Sequence, residues 1–245
     1  MSFSRTAATA ARVLSQLRRD PRTLALLLVV PCVLMILVDQ LFAGREAVFQ
    51  SVGVPMLGLF PLISMFLVTS ITMLRERTTG TLERLLTTPL TKLELLLGYG
   101  IAFAAVAIVQ AVVVSLVGFG LLGLEATHSE LLIMLLAVAN AILGMSFGLF
   151  VSAFAQTEFQ AVQFMPAFVL PQILLCGLFV AQDQMADWLQ AVSSVLPLTY
   201  AFDALDRAAH DPSLGPRFWV DVAVVVGATL LALVLGAATL RRRTA

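Results

Sequence analysis

The chain has 245 residues, 60% hydrophobic and 12% charged, with 15 basic side chains against 15 acidic ones. A soluble domain carries about 25% charged residues, so this composition points to an integral membrane protein, and the balanced charge argues against a nucleic-acid partner. The two cysteines, Cys32 and Cys176, lie inside apolar runs; they argue against a disulfide framework or metal site and read as small packing residues.

Residues 1–22 form a basic leader. At 100° per residue Phe3, Ala10, Val13, Leu14 and Leu17 share one face, Arg5, Arg12 and Arg19 share the opposite one, and Pro21 ends the helix. This predicts an amphipathic helix on the inner membrane surface, either a plain basic anchor or a partner contact. The leader is too long for a signal peptide, and no A-x-A site follows the first apolar run at Leu41–Ala47.

A helix needs about 20 predominantly apolar residues to cross the hydrocarbon. Six stretches qualify: 23–42, 52–74, 95–122, 131–155, 163–181 and 218–240. Prolines fall within or near several of them (Pro31, Pro55, Pro61, Pro166, Pro171), where neighbouring helices can satisfy the freed carbonyls. The fifth, with two prolines and Gly177, is expected to be kinked or broken. Basic residues set the orientation. Twelve of the 15 fall in the leader, in 75–94 or in Arg241–Arg243, on the side of the termini; only Arg45, Arg207 and Arg217 fall opposite. The positive-inside rule then places both termini and 75–94 in the cytoplasm of a multi-pass protein of the cell membrane.

The stretch 75–94 carries four basic and three acidic residues, at about 2.5–3.5 kcal/mol each if placed at mid-bilayer, so it lies in water. It is nonetheless patterned. Gly80 can start a short helix with Glu83 in its first turn, Leu82, Leu85 and Leu86 make an apolar face, and Pro89 stops it. Thr91-Lys92-Leu93-Glu94 then has capping-box spacing, with Leu90 and Leu95 placed as a hydrophobic staple. Such an element is either a docking helix or a connector resting on headgroups.

Beyond it, polar residues inside the spans are few: Gln110, Ser115, Asn140, Gln163 and Gln172. They serve as inter-helix hydrogen bonds or as a substrate path, for which Gln110, Asn140 and Gln172 are the candidates. No span centre carries a charge, which weakens a proton- or ion-coupled mechanism and suits an apolar or amphiphilic cargo. Gly144-Met145-Ser146-Phe147-Gly148 matches the G-x-S-x-G nucleophile signature, but that motif needs a strand–turn–helix elbow. Inside a span, G-x-x-x-G with a small Ser146 suits helix packing. There is no H-E-x-x-H and no metal-ligand spacing, so no metal and no catalytic residue is assigned. The segment 182–217 mixes Asp183, Asp187, Asp203, Asp206 and Asp211 with apolar residues around a Pro197–Tyr200 turn, the pattern of external helices dipping into the interface.

"RERTTGTLERLLTTPLTKLELLLG" closely resembles the hallmark of permease subunits of type-two ATP-binding-cassette exporters, an R-E-x-x-x-G-T-x-E pattern followed by a coupling helix and a proline. "PQILLCGLFV" and "MADWLQAVSSVLPLTYAFDALDRA" resemble the family's late region, where re-entrant external helices carry a Leu-Pro-x-Thr-Tyr element; "VAQDQMADW" departs from it in lacking prolines around the methionine. The resemblance implies that the 80–89 helix sits in a cleft of a separate ATPase subunit, with the leader helix beside it. By that match the coupling residues are Arg75, Glu76, Gly80, Thr81, Glu83, Arg84 and Pro89, and the external gate holds Pro197 and Tyr200. No G-x-x-x-x-G-K-[ST] is present, so ATP and Mg would bind the partner subunit and no cofactor this chain.

The expectation is therefore an all-α polytopic membrane protein with six spans, an amphipathic leader, a cytoplasmic coupling helix and external re-entrant helices, forming one permease domain over 1–245. It would pair with a second permease copy, as homodimer or close heterodimer, and export a drug-like molecule, a lipid or a lipid-linked glycan. The alternatives are a stand-alone secondary transporter and an intramembrane hydrolase using Ser146.

Overall fold

The computed structural model describes residues 3–81 and 91–239, and every regular element among them is helical. The helices are α1 (Phe3–Arg18), α2 (Pro21–Leu41), α3 (Glu46–Thr78), α4 (Lys92–Ser115), α5 (Glu130–Val151), α6 (Glu158–Phe168), α7 (Leu170–Leu175), α8 (Asp187–Ser193), α9 (Pro197–His210) and α10 (Pro216–Thr239). Five helices are long and apolar enough to cross a membrane: α2, α3, α4 with its extension to Leu121, α5 and α10.

Local chemistry explains where they start and stop. Asp20 caps α2 by accepting from the Thr23 amide (3.2 Å) and hydroxyl (2.6 Å), and Pro21 occupies the first turn, where its missing N–H is harmless. Pro21 thus opens α2; α1 has already ended at Arg18. The capping box at α4 forms: Glu94 N–H donates to Thr91 Oγ1 (3.2 Å) and Thr91 N–H to Glu94 Oε2 (2.9 Å). The last turn of α4 widens to π geometry over Leu116–Leu121. Ser129 and Thr157 cap α5 and α6 with one bond each, their hydroxyls accepting from the Leu132 and Gln160 amides.

The fifth predicted stretch is not one helix. Prolines at 166 and 171 sit in two short pieces, α6 and α7, and Gly177 turns the chain at φ +102°.

α3 and α5 form the centre. At Gly144 and Gly148 an added Cβ would collide with the Leu62 and Phe66 carbonyls of α3, so the two backbones touch. The Thr69 hydroxyl donates across the contact to the Met145 carbonyl (3.2 Å). Ser146 donates to its own helix at Ile142 (2.8 Å) and is fully buried; the glycine-serine motif is used for packing. α2 is the opposite case, with Leu26, Val29, Val33 and Leu37 exposed along it. An apolar exposed surface on so many helices makes this a multi-pass membrane protein.

α1 lies across one end of the bundle, against α4. Its buried face is Thr6, Thr9, Ala10, Val13 and Leu17, while Phe3 and Leu14 are exposed. The contact is close because Gly98 of α4 has no Cβ to strike Thr9. This shifts the buried stripe from the one expected and turns Arg12 inward, since α1 faces a protein neighbour.

Candidate functional site

The ends of α3, α1, α5 and α6 meet at what is here termed the basic end of the bundle. Arg75, Glu76 and Arg77 occupy the last turn of α3. Successive helical residues point about 100° apart, so three neighbours in sequence reach three different elements.

Arg75 turns to α6, where its Nε and Nη2 donate to the Glu158 carboxylate at 2.7 and 3.0 Å. This fork-on-carboxylate geometry is the strong form of the pair, and it lowers the Glu158 pKa below the usual carboxylate value. Both partners are more than half exposed, so the pair contributes little to stability. Arg77 turns to α5 and donates to the Ser152 carbonyl, one of the orphan acceptors at that helix's C-terminus.

Glu76 turns to α1 and is buried, its side chain 7% exposed. Oε1 accepts from Arg12 Nη1 (3.2 Å) and Gln16 Nε2 (3.4 Å). Arg12 also donates through Nη2 to the Tyr99 hydroxyl of α4 at 2.5 Å, and its guanidinium lies 5.6 Å from the Tyr99 ring centroid. α1, α3 and α4 therefore share one charged knot. The knot is not saturated: Arg12 Nε and Glu76 Oε2 are buried without a hydrogen-bond partner among the described residues. Arg12, Gln16, Tyr99 and Glu158 are absent from the residues expected from the sequence. One signal was there: Glu76 lies within a turn of a long apolar run and so needs a nearby cation once buried.

Immediately after this hub Thr79 closes α3 and Gly80 adopts φ +70°. Gly80 is the left-handed residue past a helix end, so it terminates α3. Thr81 follows, its hydroxyl 3.0 Å from that of Thr79. Glu83, Arg84 and Pro89, with Leu82, Leu85, Leu86 and Leu90, lie outside the described residues, as do Arg241–Arg243. A cleft of about 430 Å³ opens beside the hub, with Asp20, Thr23, Arg75, Glu76 and Thr81 among its lining residues.

The intramembrane candidates do not converge. Gln110 donates to the Leu27 carbonyl of α2 (2.9 Å), Asn140 to the Ala201 carbonyl of α9 (3.5 Å), and Gln172 to the Phe168 carbonyl of α6 (3.0 Å). Each donor group is used in holding helices; Gln110 Oε1 and Gln172 Oε1 are buried with no partner among the described residues.

At the opposite end Pro197 opens α9, and the Tyr200 hydroxyl donates to the Ser194 carbonyl (2.6 Å). Ser193 donates to the Leu175 carbonyl (2.8 Å) and meets Thr199 at 3.1 Å. Arg207 of α9 pairs with the fully buried Asp221 of α10 at 3.1 Å. Burial, with the charge of Asp221 nearby, pushes Asp203 up to about 6.

The ABC-2 type transporter family model matches residues 5–208. Over 141 residues the chain is 31% identical to the probable multidrug ABC transporter permease YbhR of Escherichia coli strain K12, covering 58% of this chain and 38% of that protein. Over 140 residues it is 29% identical to the probable multidrug ABC transporter permease YbhS of the same strain, covering 57% and 37%. It is also 25% identical over 138 residues to ABC transporter G family member 20 of Dictyostelium discoideum, covering 56% of this chain and 19% of that one. The match therefore spans well under half the length of each relative.

Proposed function

The chain belongs to the ABC-2 type transporter family, and from that premise we propose that it is the permease subunit of an exporter powered by a separate nucleotide-binding subunit. The ATPase docks on the segment that links α3 to α4. The observation that carries this reading is the fan of Arg75, Glu76 and Arg77. A force applied just beyond Gly80 meets one helical turn that holds α6, α1 and α5 at once. Rigid-body switching needs such a junction, because packed helices move as units rather than stretching.

In this reading the basic end is cytoplasmic, both termini lie there, and the protein resides in the cell membrane. The broken pair α6–α7 supplies a sixth, discontinuous crossing, and α8 and α9 cap the pathway outside with Pro197 and Tyr200 at the gate. The active unit is a dimer of permeases, identical or closely related, with two ATPase subunits that hold ATP and Mg. The cargo is hydrophobic or amphiphilic: a drug-like molecule, a lipid or a lipid-linked glycan. What supports that class is the apolar interior, where the buried amides Gln110, Asn140 and Gln172 are neutral and the buried Asp221 is paired with Arg207.

The test is substrate-stimulated ATP hydrolysis by the reconstituted complex. Arg75→Gln removes an exposed pair worth at most about 1 kcal/mol, so membrane insertion and thermal stability should stay put. Stimulation by substrate should fall several-fold. Full stimulation in this variant and in Glu158→Gln would remove the hub from the mechanism.

A further inference from the structure

The cleft beside the hub has a composition that docking does not require. One wall is the α1–α2 corner, with Asp20 and Thr23, and the other is the end of α3, with Arg75 and Glu76. Its floor is apolar, with Val68 and Ile71 of α3, and it lies where two membrane-spanning helices, α2 and α3, begin and end. Mixed charge at the rim and hydrocarbon below describe the boundary layer of a bilayer.

Charges of both signs remain open for a ligand. Asp20 uses one lone pair of each oxygen on Thr23, and an ionised carboxylate has about four acceptor positions. Those two bonds also lower its pKa, keeping it negative. Arg75 spends Nε and Nη2 on Glu158, which leaves Nη1 without a partner among the described residues. Glu76 Oε1 is taken by Arg12 and Gln16 and its unpartnered Oε2 is buried, whereas Asp20 is only partly covered, so the acceptor a newcomer meets first is Asp20. A volume of about 430 Å³ falls in the range of about 300–1,000 Å³ typical of small-molecule sites.

We propose that this cleft binds the headgroup of an aminophospholipid from the surrounding leaflet, with its primary ammonium on Asp20 and its phosphate on Arg75 Nη1. The acyl chains run down over Val68 and Ile71. A primary ammonium can donate hydrogen bonds to Asp20; a choline headgroup has no N–H to give, and a glycerol headgroup has no positive charge. The apolar floor assigns the ligand to the membrane rather than to a soluble phosphoamine. This inference rests on the multi-pass reading alone and holds whether or not the hub couples to an ATPase.

The experiment is native mass spectrometry of the full chain released from nanodiscs containing equal parts phosphatidylethanolamine, phosphatidylcholine and phosphatidylglycerol. The wild type should retain the ethanolamine lipid over the choline lipid by roughly tenfold, the value of one charge-assisted hydrogen bond. Asp20→Asn keeps a residue equally good as a helix cap and should abolish the preference, while Asp20→Glu should restore part of it. Soluble phosphoethanolamine at millimolar concentration should not displace the lipid. Equal retention of all three lipids, an unchanged preference in Asp20→Asn, or displacement by the soluble compound would each overturn the proposal.

Discussion

At the end opposite the basic one, Gln50 ties α3 to Gly123 and Glu125, 73 and 75 residues away, but the α8–α9 cap there is folded by local bonds, the reverse of the basic end. At the basic end, side chains of α3 and α1 bond to partners 60 to 87 residues away in sequence. At the other end, the side-chain bonds that fold α8 and α9 against α7 and α10 span 6 to 21 residues. Short-range bonds preserve the shape of one local cap. Long-range bonds make distant elements answer to a single turn of helix. The first arrangement suits a gate that keeps its form while its support moves; the second suits the point where movement enters.

Breaking the charged knot should have the largest effect. Glu76→Ala leaves the partly buried Arg12 without its counter-charge, at a cost of up to about 3–5 kcal/mol, and the thermal midpoint should fall by about 10 °C. The double variant Arg12→Met with Glu76→Leu should regain most of that stability, since buried ion pairs are often replaceable by apolar groups of similar size. Substrate-stimulated ATP hydrolysis by the complex should stay lost in both. Wild-type stimulation in the stable double variant would reduce the knot to a structural fastening, no different from the opposite end.

A middle-sized effect belongs to the waist between the ends. Gly148→Ala pushes a methyl into the Phe66 carbonyl and should lower stability by about 1–3 kcal/mol, read as a drop in the thermal midpoint. Gly227→Ala, on α10 with open space around it, should do the reverse by about 0.5–1 kcal/mol. If both behave alike, close contact between α3 and α5 is not what joins the two ends.

The smallest effect tests the local cap by pH. Asp203 titrates near 6 when folded against 3.8 as a free side chain, so the folded state holds the extra proton between those values. Stability should therefore decline as pH rises from about 4 to about 6 and level off above it. Asp203→Asn should flatten that slope, raising the thermal midpoint by a few degrees at pH 7.5 and leaving it unchanged below pH 4. An identical slope in the variant would move the proton elsewhere.

Much of this architecture was legible in advance because single-helix physics governs it. The apolar runs, the capping box at Thr91–Glu94, the fracture of the fifth stretch at its prolines and the glycine contact of α5 each follow from residues adjacent on one helix. The hub was half visible. Arg75 and Glu76 stood out as charges at the end of an apolar helix, but Arg12 was assigned to the water-facing side of α1. A helical wheel gives the relative phase of residues and not what lies opposite. With α4 rather than lipid as neighbour, small Thr6 and Thr9 joined Ala10, Val13 and Leu17 in the buried stripe in place of Phe3 and Leu14, and Arg12 came round to Glu76.

What the residue order determined by itself, then, is membrane character, helical content and the places where helices start, break and stop, because these depend on local propensity and on transfer of side chains from water. What only the tertiary structure decided is which partners the ionised groups meet: Arg12 with Glu76 and the neutral Tyr99 hydroxyl, Arg75 with Glu158, Arg207 with Asp221. Electrostatic pairing depends on distances between elements remote in the chain, and those distances are set by how the whole bundle packs.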